Sequence, residues 1–575
     1  MNILFVNFPT LSPENVQVCF TRKPTPYMAQ IPLGIVHLAG AIKNLEFIEN
    51  IECLDYCLEL ENGPNYGNYQ NFIDRLADEI MFEPDLIAYS INFSTQHDFF
   101  VRTEKRLFKR WPNSTSVAGG THATNVTLEL LGTTNLDYVI RGEAELSFVQ
   151  FINNIQAGKV DKLCDIQGVY SKFHNSLEPL KISEYADLPD LPLPNWHLFD
   201  MERYKKSISE TFLYGSERYS CSIMTSRGCP FHCTFCSSFT LHGRKMRYFG
   251  AEWVTKMVTQ LNEEYGINEF VIQDDMFTVH TERTLEMLSA LQGLGIPDIG
   301  LSVKNALSVN TLNEPVVDAL ASTGLETAYL AIESGSQHVN NNIIKKRVNL
   351  KRVPDIIKMF RERDVPTVCF FIMGFPGETK EMIAESISYA ESICSDWCTF
   401  NAVKPLVGTP LYDEMLSEGY IDHTPEQWNQ TAYGLREFDT KEISAEELND
   451  ILYEANIRIN FIQNYNVKIG NYSKAAKMFK SISDQYQYHV VALYMLYICS
   501  KGLGNADASM NYLRQIYSTI DSDPRAANMY AKYREHMPDI TVEIKGSIDT
   551  SSDFRSNSST KIAQNLDSKE QVIEI

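Results

Sequence analysis

One short segment of the chain carries three of its twelve cysteines. Cys229, Cys233 and Cys236 follow one another at a Cys-x3-Cys-x2-Cys spacing. A loop of this length can turn three thiolates towards one point, and soft thiolates suit iron–sulfur clusters or zinc. A cubane cluster needs four iron ligands, so three cysteines would leave one iron free to bind another group. Structural zinc sites usually show two separated ligand pairs, so the spacing favours a cluster over zinc with a borrowed fourth ligand or over reduced core cysteines.

The composition of the whole chain limits the class of protein further. Its 575 residues are too many for one core and indicate about three or four domains. A net charge of −22 without a basic block argues against nucleic-acid binding. Residues 1–7 predict a strand rather than a signal peptide, and no apolar run approaches the ~18 residues of a membrane span. Thiolate ligands need a reducing compartment, so we expect a cytoplasmic protein.

Residues 1–185 alternate short apolar runs with helical stretches. The predicted strands are Ile3–Val6, Ile51–Leu54, Leu86–Ile91, Ser116–Ala118 and Tyr138–Ile140. Strands that are apolar on both faces are typical of a parallel sheet covered by helices, a doubly wound Rossmann-like fold of the α/β class. Ligands bind such sheets at the carboxyl ends of the strands, where this chain places its glycines and polar residues. No Gly-x-Gly-x-x-Gly follows the first strand, so the pattern alone does not identify the ligand.

A proline-rich stretch at 186–215 predicts an extended connector and a domain boundary. From 216 to 430 the alternation resumes. The predicted strands are Ser220–Thr225, Glu269–Gln273, Ile299–Val303, Thr327–Ala331, Thr367–Phe371 and Cys398–Ala402. These strand–helix units predict a partial (β/α)6 barrel whose strand ends carry function.

The barrel's strand ends carry polar and glycine-rich residues. Asp274 and Asp275 follow the second strand, and without further context they are equally a loop turn or a helix N-cap. Glu333 and Ser334 follow the fourth strand. The fifth strand runs into Gly374–Thr379, where Pro376-Gly377 predicts a tight turn.

Beyond the barrel the chain is predicted to be helical at 431–538. Gly470-Asn471 recurs as Gly504-Asn505, each before an amphipathic run, which suits a degenerate tetratricopeptide-type hairpin or a plain helical cap. Residues 539–575 are rich in Ser, Thr and Asn and predict a disordered tail. The pairs Cys53/Cys57 and Cys394/Cys398 lack a third partner and do not predict a second cluster.

The cysteine loop, with aromatic Phe235 before its third cysteine, resembles that of the radical S-adenosylmethionine (SAM) superfamily. The resemblance implies a [4Fe–4S] cluster on Cys229, Cys233 and Cys236, with its free iron chelated by the methionyl group of SAM. The residues that it implies for SAM binding are Phe235, Asp274, Asp275, Lys304, Glu333, Ser334, Gly374 and Pro376. The third strand of the family often ends with an arginine, and Lys304 keeps that charge without the bidentate geometry.

The first domain resembles the cobalamin-binding domain that precedes many radical SAM enzymes. The similarity lies in Pro32–Gly34, Gly119–Thr124 and Arg141–Glu145. The implied cobalamin contacts are Gly34, Ser90, Gly119, Gly120, His122, Arg141, Gly142 and Glu143, although His122 also suits a locally satisfied loop histidine. The Asp-x-His-x-x-Gly motif for a cobalt-ligating histidine is absent. His37 lacks the preceding aspartate, so we expect a helix residue there and no histidine on the lower face of cobalt.

Together these resemblances imply a cobalamin-dependent radical SAM methyltransferase acting on an unactivated carbon or phosphorus of a small molecule or natural-product intermediate. In that family cob(I)alamin takes a methyl group from one SAM, and a second SAM yields a 5′-deoxyadenosyl radical that activates the substrate to accept methyl from methylcobalamin. The alternatives are a non-methylating cyclase or rearrangement enzyme, and a partner-binding scaffold with a vestigial core. The expected partners are a flavodoxin, ferredoxin or reductase as electron donor and a protein on the C-terminal helices.

Overall fold

The computed structural model describes residues 1–11, 13–20, 29–173, 179–208, 218–429 and 435–541. The described residues near the N-terminus form one six-stranded sheet in the order β2-β1-β3-β4-β5-β6. The strands are β1 (Asn2–Asn7), β2 (Asn50–Asp55), β3 (Leu86–Ser90), β4 (Thr115–Gly119), β5 (Tyr138–Ile140) and β6 (Val169–Ser171). The first five are parallel, as predicted, and the short β6 adds an antiparallel edge.

Helices cover both faces of this sheet because its strands are apolar on both sides. They are α1 (Pro13–Cys19), α2 (Leu33–Ile42), α3 (Tyr56–Glu59), α4 (Tyr69–Glu79), α5 (His97–Arg110), α6 (Thr121–Asn125), α7 (Thr127–Thr133) and α8 (Glu145–Gln156). The strand order reverses at β1, between β2 and β3. A doubly wound sheet binds its ligand at such a reversal, so Asn7 and Ser90 mark the edge where a cofactor fits.

The connector passes between the two α/β regions. Its helix α9 spans Met201–Ile208. Before that helix, the Asn195 amide donates to Val36 O at 2.9 Å and Trp253 Nε1 donates to Leu191 O at 2.6 Å. A Cβ on Gly40 would lie 2.5 Å from Leu193 O, so only glycine allows the connector to lie this close to α2.

The barrel region has two three-stranded parallel sheets, which isolated bridges at Leu301–Leu325 and Leu307–Leu330 join into one open barrel. Its parallel strands are β7 (Ser220–Ile223), β10 (Glu269–Ile272), β11 (Gly300–Ser302), β12 (Ala328–Glu333), β13 (Thr367–Met373) and β14 (Trp397–Ala402). A small antiparallel pair, β8 (Ser226–Arg227) and β9 (Arg247–Tyr248), flanks the cysteine loop. The predicted partial (β/α)6 barrel is therefore confirmed, whereas the β8–β9 pair was not predicted.

Helices alternate with the barrel strands. They are α10 (Ser238–His242), α11 (Ala251–Tyr265), α12 (Thr281–Gly293), α13 (Glu314–Ser322), α14 (Val353–Glu362), α15 (Lys380–Ser392), α16 (Pro410–Ser417) and α17 (Pro425–Asn429), with a π-helical segment at Val339–Ile343. In the part of the chain that the structure describes, every helix is too short or too polar to serve as a membrane span.

The C-terminal helices pack on the outer face of β13 and β14, where Val368 and Trp397 join their core. They are α18 (Ala445–Asn456), a π-helical continuation at Ile457–Ile462, α19 (Tyr465–Lys468), α20 (Tyr472–Gln485), α21 (Val490–Gly502), α22 (Ala506–Ser522) and α23 (Pro524–Tyr533). The repeated Gly-Asn pairs begin α20 and α22: each glycine has a positive φ, and Asn471 and Asn505 cap the helices.

Two features complete the C-terminal region. Asn460 pairs with the edge strand β14: the Cys398 amide donates to Asn460 Oδ1 at 2.8 Å, and Asn460 Nδ2 donates to Cys398 O at 2.6 Å. At the other end, Tyr530 OH donates to Ile540 O at 2.9 Å. The predicted disordered tail lies outside the described residues from 542 onwards.

Candidate active site

The cysteine loop leaves β8 at the carboxyl end of the barrel. Gly228 has a φ of +94° and its amide donates to Asp275 Oδ2 at 3.1 Å, so the loop turns sharply before Cys229. At the far side of the loop, the Thr234 amide donates to Ile344 O and the Leu411 amide donates to Thr234 O, each at 3.0 Å. These backbone bonds fix both halves of the loop.

The three thiols are half-buried and act on one another. Burial raises the pKa of Cys229 to about 11 and of Cys233 to about 12, and it raises the pKa of Cys236 as well. The positive charge of Lys346 opposes burial and acts to lower the pKa of all three thiols. A metal that binds here must therefore displace protons, and a nearby cation helps it to do so.

The donor set suits an iron–sulfur cluster. No group of three or more His, Cys, Asp or Glu side chains within the described ranges is arranged to hold a single metal ion. A cubane puts each thiolate on a different iron, which needs the sulfurs farther apart than the ligands of one ion. Three thiols on one fixed loop, beside the positive charge of Lys346, are the kind of donor set that such a cluster uses.

Sequence reasoning missed Lys346. It lies just after the π-helical segment, and its Nζ pairs with Glu333 Oε1. Burial disfavours the charge of Lys346, but Glu333 and the thiols Cys233 and Cys236 outweigh burial and raise its pKa. Glu333 itself has a φ of +64°, an unusual backbone for a non-glycine residue at a strand end. No motif in the sequence marks the lysine; only the fold brings it to the cysteines.

Asp274 and Asp275 have different surroundings. Asp274 is buried, and its carboxylate accepts from the Thr225 amide and Thr225 Oγ1 at 2.6 Å and from Ser226 Oγ at 2.5 Å. Burial raises its pKa, with Arg283 opposing. Asp275 is half-buried, and its carboxylate acts to raise the pKa of the thiols of Cys229 and Cys236. Asp274 thus holds the strand that leads into the cysteine loop, and Asp275 faces the thiols.

Ser334 also serves as scaffold. It is fully buried, and its Oγ lies 2.9 Å from Ser386 Oγ and accepts from the Ser336 amide at 3.1 Å. Its neighbour Glu333 carries the group that reaches Lys346 and the cysteines. In both pairs of neighbours one residue is structural and the other faces the thiols. Asp274 and Ser334 support the loops, whereas Asp275 and Glu333 lie towards the cysteines. We call Cys229, Cys233, Cys236, Asp275, Glu333 and Lys346 the thiol site.

The loop after β13 is fixed in the same way. Gly374, with a φ of +87°, donates its amide to Glu378 Oε2 at 2.6 Å, and its carbonyl accepts from Arg436 Nη1 at 2.9 Å. Burial raises the pKa of Glu378 to about 7. Pro376 is buried in this loop, and Phe375 lies 6.0 Å from the ring of Phe235, centroid to centroid. This loop therefore supports the aromatic side of the cysteine loop.

A cavity of about 880 Å³ lies between the first sheet and the barrel. Its wall contains seven of the eight residues implied for cobalamin: Gly34, Ser90, Gly119, Gly120, His122, Gly142 and Glu143. Arg141 is outside this wall and donates from Nε to Thr124 O at 2.9 Å. The barrel contributes Ser222, Gln273, Lys304 and Asn305, among others. The volume is at the upper end of the range of ligand sites, so the cavity has room for a large ligand.

The first-domain side of this cavity, which we call the glycine wall, consists of Gly34 in the first turn of α2 and the segments at Gly119, Gly120 and Gly142. A Cβ on Gly34 would meet no atom within 4 Å, so the absent side chain leaves space at the wall. His37 adds a buried imidazole whose two ring nitrogens have no hydrogen-bond partner. Open glycines and an unpaired polar ring suit a flat macrocycle that carries amide side chains, so the glycine wall fits cobalamin.

His37 lies in α2, as predicted, and stacks on Trp253 with centroids 6.0 Å apart. Burial lowers its pKa to about 3, so the ring is neutral. His122 has partners on both nitrogens: Ser94 Oγ lies 3.1 Å from Nδ1, and His97 Nδ1 lies 3.1 Å from Nε2. This geometry is that of a locally satisfied histidine on the cavity wall.

The carboxylate of Glu143 joins the two sides of the cavity. Arg227 Nη1 and Arg247 Nη1 each donate to its Oε2 at 2.9 Å, and His242 Nδ1 lies 2.7 Å from its Oε1. Glu145 accepts from the other end of Arg227 at 2.6 Å. Burial acts to raise the pKa of Glu143, but its hydrogen bonds to His242 and Arg247 and the charge of Arg227 hold that pKa well below its usual range. Since Arg227 is two residues before Cys229, the network connects the glycine wall to the start of the cysteine loop.

Comparisons with known proteins agree with this architecture. Residues 223–390 match the radical SAM superfamily, and residues 25–152 match the B12 binding domain. The chain thus carries a B12-binding domain followed by a radical SAM domain, and the cofactors that these two domains imply are a [4Fe–4S] cluster, SAM and cobalamin.

Its relatives include methyltransferases. The chain is 29% identical over 429 residues to cytidylyl-2-hydroxyethylphosphonate methyltransferase of Streptomyces wedmorensis, covering 68% of this chain and 79% of that one. It is 28% identical to an uncharacterized methyltransferase of Pyrococcus horikoshii, with the same coverage of both chains. An anaerobic magnesium-protoporphyrin IX monomethyl ester cyclase of Cereibacter sphaeroides is 22% identical, covering 67% and 60%.

Solved structures share the fold. The cobalamin-dependent radical SAM enzyme OxsB, with aqua-cobalamin and SAM bound, superposes with a TM-score of 0.63 at 13% identity over 93% of this chain and 84% of that one. The radical SAM methyltransferase TsrM of Kitasatospora setae gives 0.56 at 13% identity over 91% and 100%. The predicted order of a cobalamin-binding domain before a radical SAM barrel is thereby confirmed.

Proposed function

We propose that this enzyme transfers a methyl group from SAM, through cobalamin, to an unactivated carbon or phosphorus atom of a small molecule. The observation that carries the proposal is the shared cavity: the glycine wall and the mouth of the barrel enclose one space of about 880 Å³. Radical transfer of a methyl group needs both cofactors to reach the same substrate atom, and Arg227 and Ser237, which flank the cysteine loop, bring this space to the edge of the thiol site. Methyltransferases among the relatives support the same reaction.

The thiol site would hold the cluster and the methionyl end of SAM. Cys229, Cys233 and Cys236 would ligate three irons. Lys346 supplies the positive charge beside them, so it is the group best placed to meet the SAM carboxylate, and Asp275 would accept hydrogen bonds from the SAM amine. When bound, the cluster supplies the electron that cleaves SAM, and cobalamin supplies the methyl carrier. The electron itself would come from a ferredoxin, a flavodoxin or a reductase.

The remaining residues position these groups and exclude water. Asp274, Ser334 and Glu378 hold the three loops around the thiol site through buried hydrogen bonds. Glu143 holds the glycine wall against the barrel. Every one of these carboxylates and hydroxyls is buried, so each costs stability unless its partners stay in place.

The test uses anaerobically reconstituted protein loaded with cobalamin and SAM labelled on its methyl group. We expect one oxygen-sensitive cluster, 5′-deoxyadenosine on reduction and label transferred to cobalamin. Cys229→Ala, Cys233→Ala and Cys236→Ala should each lose the cluster and the deoxyadenosine, whereas Cys164→Ala, at an exposed cysteine outside the loop, should keep both. A wild type that reduces but does not cleave SAM would refute the radical assignment.

The cyclase among the relatives gives the alternative its support. A cyclase or rearrangement enzyme would form deoxyadenosine without labelling a product. Label that stays on SAM and cobalamin in the presence of turned-over substrate would therefore replace methyl transfer with rearrangement.

A further inference from the structure

We propose that the substrate of this enzyme is an anion, and that Lys304 binds its carboxylate, phosphate or phosphonate group. The proposal rests on the proposed function, because it assumes that the cavity between the glycine wall and the barrel receives the substrate. It goes beyond that function by naming the charge of the substrate and the residue that recognises it.

Among the residues that the structure describes, Lys304 is the lysine or arginine of the cavity wall that has no ion-pair partner. The wall contains two charged bases, Arg227 and Lys304. Arg227 is engaged by Glu143 and Glu145 at 2.9 and 2.6 Å. In contrast, no carboxylate among the described residues lies within ion-pair distance of Lys304, and its ammonium donates no hydrogen bond to them. A largely buried charge without a partner is costly, so the partner is expected to arrive with a ligand.

Two glutamates act on the charge of Lys304 without pairing with it. Burial lowers the pKa of Lys304, while Glu269 and Glu326 act to raise it. Glu326 is paired with Arg218 at 2.6 Å; Glu269 accepts from Ser220 Oγ with one oxygen, while its Oε1 is buried without a hydrogen-bond partner. Neither carboxylate lies within ion-pair distance of Lys304, so among the described residues the lysine has no ion-pair partner and can bind an anion from the cavity.

Lys304 lies between the two cofactor sites. It follows β11, and the next residue, Asn305, donates to Gln273 O at 2.9 Å and to Asp274 O at 3.4 Å. This places Lys304 beside the loop whose next residue, Asp275, acts on the cluster thiols. Ala306, with a φ of +69°, closes a turn in which its amide donates to Val303 O at 3.3 Å. The turn is therefore fixed before any ligand binds.

Other groups are assigned to the SAM carboxylate and to the corrin ring. Lys346, which pairs with Glu333 and acts to lower the pKa of all three thiols, lies where the SAM carboxylate must bind. The corrin ring carries neutral amides and would rest on the glycine wall, opposite the barrel. The other anion that cobalamin brings is the phosphodiester of its nucleotide tail, and the test below therefore measures cobalamin binding as well. The sequence resemblance placed Lys304 at SAM. We assign it instead to the substrate.

An anionic substrate also needs a local cation here. The chain carries a net charge of −22, so its long-range field repels anions. A single ammonium in a low-dielectric cavity overcomes that repulsion at short range. The relative from Streptomyces wedmorensis is named for a phosphonate substrate, which is of this class.

The test measures binding of two small anions, ethylphosphonate and ¹³C-labelled propionate, to enzyme loaded with cluster and paramagnetic cob(II)alamin. We expect the ³¹P or ¹³C line to broaden, with a dissociation constant at least tenfold weaker in Lys304→Met and close to wild type in Lys304→Arg. Enzyme loaded with diamagnetic cob(III)alamin controls for broadening by slow tumbling. A lower dissociation constant for ethylphosphonate than for propionate indicates a phosphonate or phosphate site, and the reverse indicates a carboxylate site.

Every other result overturns the proposal. Equal binding by Lys304→Met and wild type, or no binding by wild type, removes Lys304 as an anion site. Loss of SAM binding or of cobalamin in Lys304→Met assigns the lysine to that cofactor instead. SAM cleavage and methylation of cobalamin are measured in the same preparations, so a wild type that performs both while failing the anion test leaves the proposed function standing.

Discussion

The glycine wall and the thiol site solve two different binding problems. The glycine wall makes room by omitting side chains: Gly34 has nothing within 4 Å of the position of a Cβ, and Gly119 has only Ile140 O at 3.7 Å. The thiol site instead concentrates charge, with Lys346 and Glu333 paired beside three cysteines. A large neutral macrocycle needs shape, whereas a cluster with a zwitterionic ligand needs charges held at fixed positions. The following experiments test this contrast.

The largest effect is expected where the two regions are joined. Glu143→Gln should remove the carboxylate that pairs with Arg247 and one of the two carboxylates that pair with Arg227, whose other partner is Glu145. The free energy of unfolding should fall by about 3–5 kcal/mol, because the largely buried Arg247 loses its compensating charge. Urea denaturation measures the change. Glu252→Gln, at an exposed i,i+4 pair with Lys256, is the control and should leave stability nearly unchanged, because water screens an exposed ion pair. If both variants behave alike, the network does not hold the two walls together.

The next effect depends on pH and concerns the loop after β13. The pKa of Glu378 is raised by burial to about 7, so the folded state keeps its proton after the unfolded chain has lost it at about pH 4.5. Wild type should therefore lose stability as pH rises from about 4.5 to 7, and Glu378→Gln should not. The difference between the two should grow over that window to roughly 3 kcal/mol and stay constant above it.

The free energies of unfolding of wild type and Glu378→Gln, measured across this pH range, test the expected difference. Glu381→Gln changes an exposed glutamate of the adjoining helix α15 and should show no such window. A pH-independent difference between Glu378→Gln and wild type would mean that the buried carboxylate does not carry a raised pKa.

Two glycines separate folding from cofactor binding in the glycine wall. Gly120→Ala should destabilise the protein by about 1–3 kcal/mol, because φ is +104° and a Cβ would lie 2.6 Å from Ile91 O. Gly34→Ala adds a methyl group inside α2 without a clash, so stability should hold or rise by about 0.5–1 kcal/mol. Cobalamin affinity, measured by equilibrium dialysis, should nevertheless fall in Gly34→Ala. Unchanged affinity would show that the cofactor does not lie against Gly34.

The last comparison distinguishes Asp275 of the thiol site from its neighbour Asp274. Asp274→Asn should cost about 1–3 kcal/mol of stability, since one amide oxygen cannot replace a carboxylate that accepts three hydrogen bonds. Asp275→Asn should leave stability unchanged and weaken SAM binding about tenfold, a difference of about 1.4 kcal/mol. Thermal denaturation and the SAM-induced change in the cluster's EPR signal measure the two. A reversed result would exchange their roles.

Much of this architecture could be predicted from the sequence, because it depends on local pattern. Alternating apolar runs determine the parallel strands, and the spacing of Cys229, Cys233 and Cys236 identifies the loop. The roles of Asp274 and Asp275 could not be predicted, because adjacent side chains at a strand end point to different surroundings that only the fold creates. Lys346 was missed for a related reason: it reaches the thiols from a segment 110 residues after Cys236.

For Glu143, the sequence predicted the position of the residue but not its ion pairs. Its position after β5 correctly indicated the cavity, but its carboxylate is bound by Arg227, Arg247 and His242 from a distant part of the chain. Long-range ion pairs leave no periodic signal in the sequence. The assignment of Glu143 as a cobalamin contact therefore remains a prediction, whereas its ion pairs to the barrel are a structural observation.

An open barrel has a cost in aggregation that a closed one avoids. The edge strand β14 would expose a row of unpaired amides and carbonyls, and such edges recruit other chains. Asn460 satisfies Cys398 on both its N–H and its C=O, as a neighbouring strand would. A chain cut before α18 would lose this cover, so the C-terminal helices keep the enzyme from self-associating through its own barrel.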